Sequence, residues 1–189
     1  DNLYLFPKAT PGVCGVDADC PVDEFCKAGA CTPRYGLAGP SAVAPLTCEP
    51  TDFYTADVDF DENLDIVVVC DDPTQFFQVF RGDGAGGASA GQVFTHTNSA
   101  TAMVIGDVDG DGDPDLVVGT SFGGTPGFIH FTNDAGTFDS PSLAQQITTL
   151  DAMGLISDLE LGDVDQDGDL DLFVAQHNGA FSIYRNEDG

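Results

Sequence analysis

Basic side chains are scarce in this chain of 189 residues. Five lysines and arginines stand against 32 acidic residues, so the formal net charge at pH 7 is −27. So much negative charge repels phosphate backbones and anionic lipid head groups. We therefore expect no nucleic-acid partner and no attachment to a membrane surface.

Long apolar runs are also missing. The longest stretch without a charged side chain, residues 84–106, contains several glycines and many polar residues, whereas a membrane-spanning helix needs about 20 mostly apolar residues. Membrane insertion is therefore not expected. No segment carries a strong apolar stripe at helical spacing, and short apolar and aromatic runs alternate with glycine-rich turns. The sequence predicts an all-β fold.

Arrangements typical of catalysis are missing as well. Residues 119–123 match the pattern GxSxG after an apolar run, but the glycines and proline that follow exclude the helix that a nucleophile elbow must begin. The three histidines lie at unrelated positions of the chain. With no convincing nucleophile, base or oxyanion arrangement, we expect this chain not to be an enzyme.

The cysteines are few but clustered: four of the six lie between residues 14 and 31. Their gaps of six, six and five residues do not suit the closely spaced ligand pairs of a zinc site. An even number of cysteines at short spacing favours disulfides formed outside the cytosol. Three connectivities are open for the cluster, and the favoured one pairs Cys14 with Cys26 and Cys20 with Cys31, leaving Cys48 for Cys70.

Composition divides the chain into four parts. Residues 1–10 predict an N-terminal arm with a strand-like segment at 2–6, residues 11–34 a small disulfide-rich knot, and residues 35–50 a linker with several glycines and prolines. Residues 51–189 contain repeats. The cysteine pattern indicates a location outside the cell or on its surface, and the start at Asp1 without a leader is that expected of a secreted protein whose leader has been removed.

One motif occurs three times in the last part. The copies are TADVDFDENLDIVVV from Thr55, IGDVDGDGDPDLVVG from Ile105 and LGDVDQDGDLDLFVA from Leu161. Each acidic loop runs into an apolar strand, a turn and then an aromatic strand. The periods of 50 and 56 residues are typical of propeller blades with four strands.

The acidic loops carry the candidate site. Counted from its first Asp, each loop has carboxylates at positions 1, 3, 5 and 9, and we expect position 7 to supply a backbone carbonyl, so that five oxygens can surround one Ca²⁺ ion. The candidate ligands are Asp57, Asp59, Asp61, Asn63 and Asp65; Asp107, Asp109, Asp111, Asp113 and Asp115; and Asp163, Asp165, Asp167, Asp169 and Asp171.

Two details refine this prediction of three calcium sites. Position 6 is Gly112 or Gly168 in two loops but Glu62 in the first, which predicts that the first site is the weakest. An EF-hand would need a bidentate Glu at position 12 followed by a helix, whereas valine occupies that position in all three loops.

The segments GDVDGDGDPDLVV and GDVDQDGDLDLFV closely resemble the FG-GAP, or VCBS, repeats of integrin-α-like propellers, and the resemblance extends over residues 51–189. It implies blades of four strands with Ca²⁺-binding loops between strands. It also implies an extracellular protein used for adhesion, surface attachment or carbohydrate contact.

About two and a half such blades cannot close a propeller ring, and an open stack leaves exposed strand edges. We therefore expect a secreted calcium-binding structural or adhesive protein that self-associates through strand edges, as a fibre or surface-layer subunit. Two alternatives are a fragment of a larger calcium-dependent adhesin or lectin-like propeller, and a non-catalytic scaffold domain of a secreted enzyme. Other extracellular proteins or glycans are further candidate partners. The tripeptide Arg81-Gly82-Asp83 could be an adhesion ligand, but a structural hairpin tip is favoured.

Overall fold

The computed structural model describes residues 24–27, 30–33, 46, 48–72, 74–122, 125–139, 146–147 and 154–187. The chain divides into two compact units, Asp1–Ser41 and Ala42–Gly189. Every regular element in the described residues is a β-strand, which confirms the predicted fold class.

The first unit contains one described hairpin. Strands β1 (Glu24–Lys27) and β2 (Ala30–Pro33) pair antiparallel, with Cys26 opposite Cys31 in the backbone register. The predicted arm at 1–10, Cys14 and Cys20 with their predicted disulfides, and residues 35–45 of the predicted linker lie outside the described residues.

Among the described residues, the second unit holds one antiparallel sheet of three or four strands for each repeat and one two-stranded hairpin. Sheet 1 consists of β3 (Pro50–Ala56), β4 (Asp65–Cys70), β5 (Phe77–Gly82) and β6 (Ala88–Phe94), paired in chain order. The apolar strand and the aromatic strand predicted from the sequence are β4 and β5. They pair because both are rich in β-branched and aromatic residues and only a short turn separates them.

Sheets 2 and 3 repeat this order. Sheet 2 is formed by β7 (Ser99–Gly106), β8 (Asp115–Phe122), β9 (Thr125–Phe131) and β12 (Gln146–Ile147). Between β9 and β12 along the chain, the two-residue strands β10 (Asn133–Asp134) and β11 (Thr137–Phe138) form a separate hairpin. Sheet 3 has three described strands: β13 (Ile156–Gly162), β14 (Asp171–Gln176) and β15 (Phe181–Tyr184). Equivalent residues pair in all three, as in Ile66 with Phe80, Leu116 with Phe131 and Leu172 with Tyr184.

The sheets pack face to face. Because side chains alternate along a strand, each sheet has two faces. Phe77 of sheet 1 meets Phe131 of sheet 2 edge to face, with ring centroids 5.0 Å apart, and Phe128 of sheet 2 meets Tyr184 of sheet 3 in the same way at 5.1 Å. The buried cluster between sheets 1 and 2 includes Val67, Val69, Val79, Leu116, Val118 and Ile129. The cluster between sheets 2 and 3 includes Val104, Val117, Leu159, Leu172 and Val174.

The other face of sheet 1 is covered from within the same unit. Val68 and Phe80 form a small buried cluster against which Leu46 packs. The disulfide between Cys48 and Cys70 fastens this covering segment to β4. The predicted Cys48–Cys70 bridge is thereby confirmed.

Candidate metal centres

The three acidic loops connect the first strand of each sheet to the second. In every loop the residues at positions 4 and 6 have positive φ. They are Phe60 (58°) and Glu62 (69°), Gly110 (76°) and Gly112 (98°), and Gln166 (65°) and Gly168 (107°). L-residues seldom adopt this conformation, so its recurrence shows that the three loops share one backbone fold. Glu62 adopts this left-handed backbone conformation although its Cβ makes the conformation unfavourable.

Backbone hydrogen bonds hold the carboxylates in place. The position 6 N–H donates to the position 1 carboxylate at 2.9 Å in loop 1 (Glu62 to Asp57), 3.1 Å in loop 2 and 3.2 Å in loop 3. The position 7 N–H donates to the position 5 carboxylate, at 2.8, 2.9 and 3.1 Å in the same order. These bonds turn the carboxylates of an exposed loop towards one another.

The carboxylates converge in all three loops. Potential ligand oxygens lie within 4.8 Å of one another in each group. The groups are Asp57, Asp59 and Asp61; Asp107, Asp109 and Asp111; and Asp163, Asp165 and Asp171. Loop 3 differs from the other two loops. Its group lacks the position 5 residue, Asp167, and includes the position 9 residue, Asp171.

Loop 2 shows the electrostatic consequence of this crowding. Oδ1 of Asp107 is buried and has no hydrogen-bond partner. The pKa of Asp109 is raised above its ordinary value, first by burial and then by the neighbouring carboxylates of Asp115 and Asp111. The pKa of Asp165 in loop 3 is raised for the same reasons, with Asp167 the strongest neighbouring charge. A bound cation would offset both the unpaired oxygen and the repulsion.

The carboxylates at position 9 also brace the loops. Asp65, Asp115 and Asp171 are fully buried. Each accepts one N–H from position 2 of its own loop and a second from the residue that ends or follows the third strand of its sheet: Gly82, Asn133 or Asn186. Arg81 lies 2.9 Å from Asp65, and His130 lies 3.0 Å from Asp115. Position 9 therefore ties the loop to its sheet.

The sequence predicts that position 7 supplies a backbone carbonyl to the ion. The N–H groups of Asn63, Asp113 and Asp169 bond to position 5, as described above. The Asp113 carboxylate accepts the Ala135 N–H at 2.7 Å. Coordination by the carbonyls of position 7 stays a prediction.

The side chains of Arg81 and Asp83 in the Arg81-Gly82-Asp83 tripeptide are both engaged in contacts within the chain. Arg81 is paired with Asp65 and Asp59 and donates to the carbonyl of Gly136. Oδ1 of Asp83 accepts the N–H groups of Ala85 and Gly87, each at 2.8 Å, and these bonds lower its pKa. The geometry is that of a structural hairpin tip, as the sequence favoured.

Sequence reasoning missed a pair of asparagines that join neighbouring sheets. The Asn133 amide donates to the Val58 carbonyl of sheet 1's loop at 2.9 Å, and the Asn186 amide donates to the Val108 carbonyl of sheet 2's loop at 2.7 Å. The signal was present in the sequence, since both asparagines stand second after the aromatic strand, where the first repeat has Gly82.

Comparison with known families now identifies the repeats. Residues 57–118 match the FG-GAP-like repeat, and residues 99–138 match the FG-GAP repeat. The chain contains FG-GAP repeats. The predicted resemblance is confirmed over residues 57–138, and the third loop of the same geometry follows at 163–171. A search of curated proteins finds no match. In the described residues, no helix long and apolar enough to span a membrane is found.

FG-GAP repeats are consistent with a propeller-type adhesion or structural domain, and repeats of this kind occur in extracellular or surface proteins. The three sheets of this chain fit the blades of such a domain. Its acidic groups could hold metal ions.

Proposed function

We propose that this chain is a secreted calcium-binding module with a structural or adhesive role, in which Ca²⁺ ions hold the three acidic loops. The observation that carries the proposal is the convergence of three carboxylates in each of three loops with the same backbone fold. The buried, unpaired Oδ1 of Asp107 supports it, because such an oxygen needs a partner.

The donor set favours calcium over softer metals. Every group consists of aspartates alone, without Cys or His, and oxygen-only sites suit hard cations. Ca²⁺ accepts six to eight oxygens in flexible geometry, whereas Mg²⁺ demands a tight octahedron and retains its waters. Short loops whose carboxylates are already hydrogen-bonded to backbone N–H groups match the flexible geometry that Ca²⁺ accepts better than the tight octahedron that Mg²⁺ demands.

The role of the ion would be structural. The position 9 carboxylate links each loop to the end of the third strand, so an ion in the loop would also fix that end of the sheet. We propose that the chain has no catalytic activity of its own. An extracellular location is supported by the Cys48–Cys70 disulfide. Self-association through strand edges, and contact with other extracellular proteins or glycans, remain proposals about its partners.

Calorimetric titration of the chelator-treated chain with Ca²⁺ tests the central proposal. We expect three binding events and, for Asp109→Asn, the loss of one of them, because that carboxylate belongs to the loop 2 group. Asp134→Asn is the matched control: Asp134 is exposed and lies outside the loops, so this variant should keep all three. A chain that binds no Ca²⁺ at millimolar concentration, or the same loss in both variants, would refute the proposal.

A further inference from the structure

Arginine and lysine are rare in the repeats, and both instances lie at equivalent positions. Arg81 and Arg185 are the only such residues in the sequence from 51 to 189. By strand register, each directly follows the third-strand residue that pairs with the residue after position 9, and Thr132 is the counterpart in sheet 2. The first and third repeats thus place a permanent positive charge where the second has a neutral side chain.

Both arginines reach the position 3 carboxylate of their own acidic loop. Nη1 of Arg81 lies 3.3 Å from Oδ2 of Asp59, and Nη1 of Arg185 lies 3.7 Å from Oδ2 of Asp165. The position 3 residue belongs to the convergent carboxylate group in all three loops. Each guanidinium therefore contacts a carboxylate that the proposed Ca²⁺ ion would need.

Arg81 is held more firmly than Arg185. Its Nη1 also lies 2.9 Å from the buried carboxylate of Asp65, and its Nη2 donates to the carbonyl of Gly136 in the turn between β10 and β11. A Cβ on Gly136 would meet both Asp59 and Arg81, so this turn packs directly against the ion pair. The side chain of Arg81 is 24% exposed and that of Arg185 is 61% exposed. Because water screens an exposed pair more strongly, Arg81 is the stronger counter-ion.

Loop 2 has no such arginine. Within the described residues, no basic side chain forms an ion pair with Asp109 at position 3, and His130 reaches position 9 instead. This loop also contains the buried oxygen of Asp107 that has no hydrogen-bond partner. The chain itself compensates these carboxylates least, so a cation from solution gains most there.

We propose that Arg81 and Arg185 are built-in counter-ions that compete with Ca²⁺ for the position 3 carboxylates and thereby set the order of affinity. Loop 2 binds Ca²⁺ most tightly, loop 3 less tightly and loop 1 least. A divalent ion and a guanidinium about 5 Å apart repel each other enough, even in water, to change a dissociation constant about tenfold. The inference rests on the proposed function, since it requires loops that bind Ca²⁺.

Chains with one intact loop test the competition by calorimetric titration with Ca²⁺. Asp109→Asn together with Asp165→Asn leaves loop 1, and Asp59→Asn together with Asp165→Asn leaves loop 2. In the loop 1 chain, Arg81→Gln should lower the dissociation constant about tenfold at low salt. Arg81→Lys keeps the positive charge and should not lower it.

Two further variants complete the comparison. Arg185→Gln in the loop 1 chain is the matched control, because Arg185 contacts loop 3, and it should leave the dissociation constant unchanged. Thr132→Arg in the loop 2 chain makes the reverse change and should raise the dissociation constant about tenfold. This variant tests the same competition without removing the partner of Asp65.

The melting temperature in chelator adds a measurement that needs no Ca²⁺. There the arginine offsets the repulsion between carboxylates, so Arg81→Gln should lower the melting temperature and Thr132→Arg should raise it. Unchanged dissociation constants for both variants, in chains that bind Ca²⁺, would overturn the competition and leave the proposed function intact. A wild-type chain that binds no Ca²⁺ would refute the proposed function and the competition together.

Discussion

The residue at position 6 is one difference between the first acidic loop and the other two. Glu62 has φ 69°, in the left-handed region that Gly112 and Gly168 occupy in the other loops. An L-residue pays about 1–2 kcal/mol for that conformation, and part of this is recovered because glycine gains more freedom in the unfolded chain. Loop 1 therefore folds like its counterparts at some cost in stability.

This cost predicts opposite effects for two substitutions. Glu62→Gly should stabilise the chain by up to about 1 kcal/mol, whereas Gly112→Ala should destabilise it by about 1 kcal/mol or more. A Cβ at Gly112 would meet no atom within 4 Å, so that variant reports backbone strain alone. Denaturant unfolding in the presence of chelator measures both changes without any contribution from metal. Equal signs for the two variants would contradict this account of the loops.

The carboxylates at positions 5 and 9 of loop 2 should also differ in effect. Asp115→Ala leaves the N–H groups of Val108 and Asn133 without their buried acceptor, and unsatisfied buried donors cost about 1–3 kcal/mol each. We expect it to lower the free energy of unfolding by about 3 kcal/mol even in chelator. Asp111→Ala, at an exposed position, should instead reduce mainly the gain in stability that Ca²⁺ provides. Similar losses for both variants in chelator would show that position 9 does not brace the loop.

Among the elements, the strands were the easiest to predict. The run from Ile66 to Val69 is apolar and β-branched, and a short turn joins it to the aromatic run at Phe76–Phe80, so local sequence determines both strands and their pairing. The side chains that brace the loops were harder to predict. Nothing local to Arg81 indicates that its side chain turns back to Asp65. The asparagine links join residues about 75 positions apart and exist only because the sheets stack.

The segment that covers sheet 1 gives a prediction at the element scale. The Cys48–Cys70 bridge spans 22 residues, and closing a loop of that length stabilises a fold by about 3 kcal/mol. The Cys48→Ser/Cys70→Ser double variant should lose about that much and should show faster amide hydrogen exchange in β4 than the wild-type chain. Exchange in β14, which lies in sheet 3, is the internal control. Equal acceleration in β4 and β14 would mean that the bridge stabilises the whole unit and not the covering segment in particular.

For the whole molecule, the dominant physical fact is the net charge of −27. The acidic loops concentrate this charge, and carboxylates about 4 Å apart repel each other by roughly 1 kcal/mol per pair even in water. Two agents can relieve the repulsion: dissolved salt screens it, and bound Ca²⁺ neutralises it at the loops themselves. Salt and Ca²⁺ should therefore relieve the same repulsion, and their stabilising effects should be less than additive.

This competition yields a prediction for the intact chain. In chelator, raising the salt concentration from about 0.05 to 1 M should raise the melting temperature, because the Debye length falls from more than 10 Å to about 3 Å. Ca²⁺ at 100 times its dissociation constant should add about 2.7 kcal/mol for each occupied site, and the salt effect should then shrink. Mg²⁺ at equal ionic strength separates specific binding from screening. If Ca²⁺ and Mg²⁺ raised the melting temperature equally at every salt concentration, the loops would be acting as a diffuse negative surface and not as calcium sites.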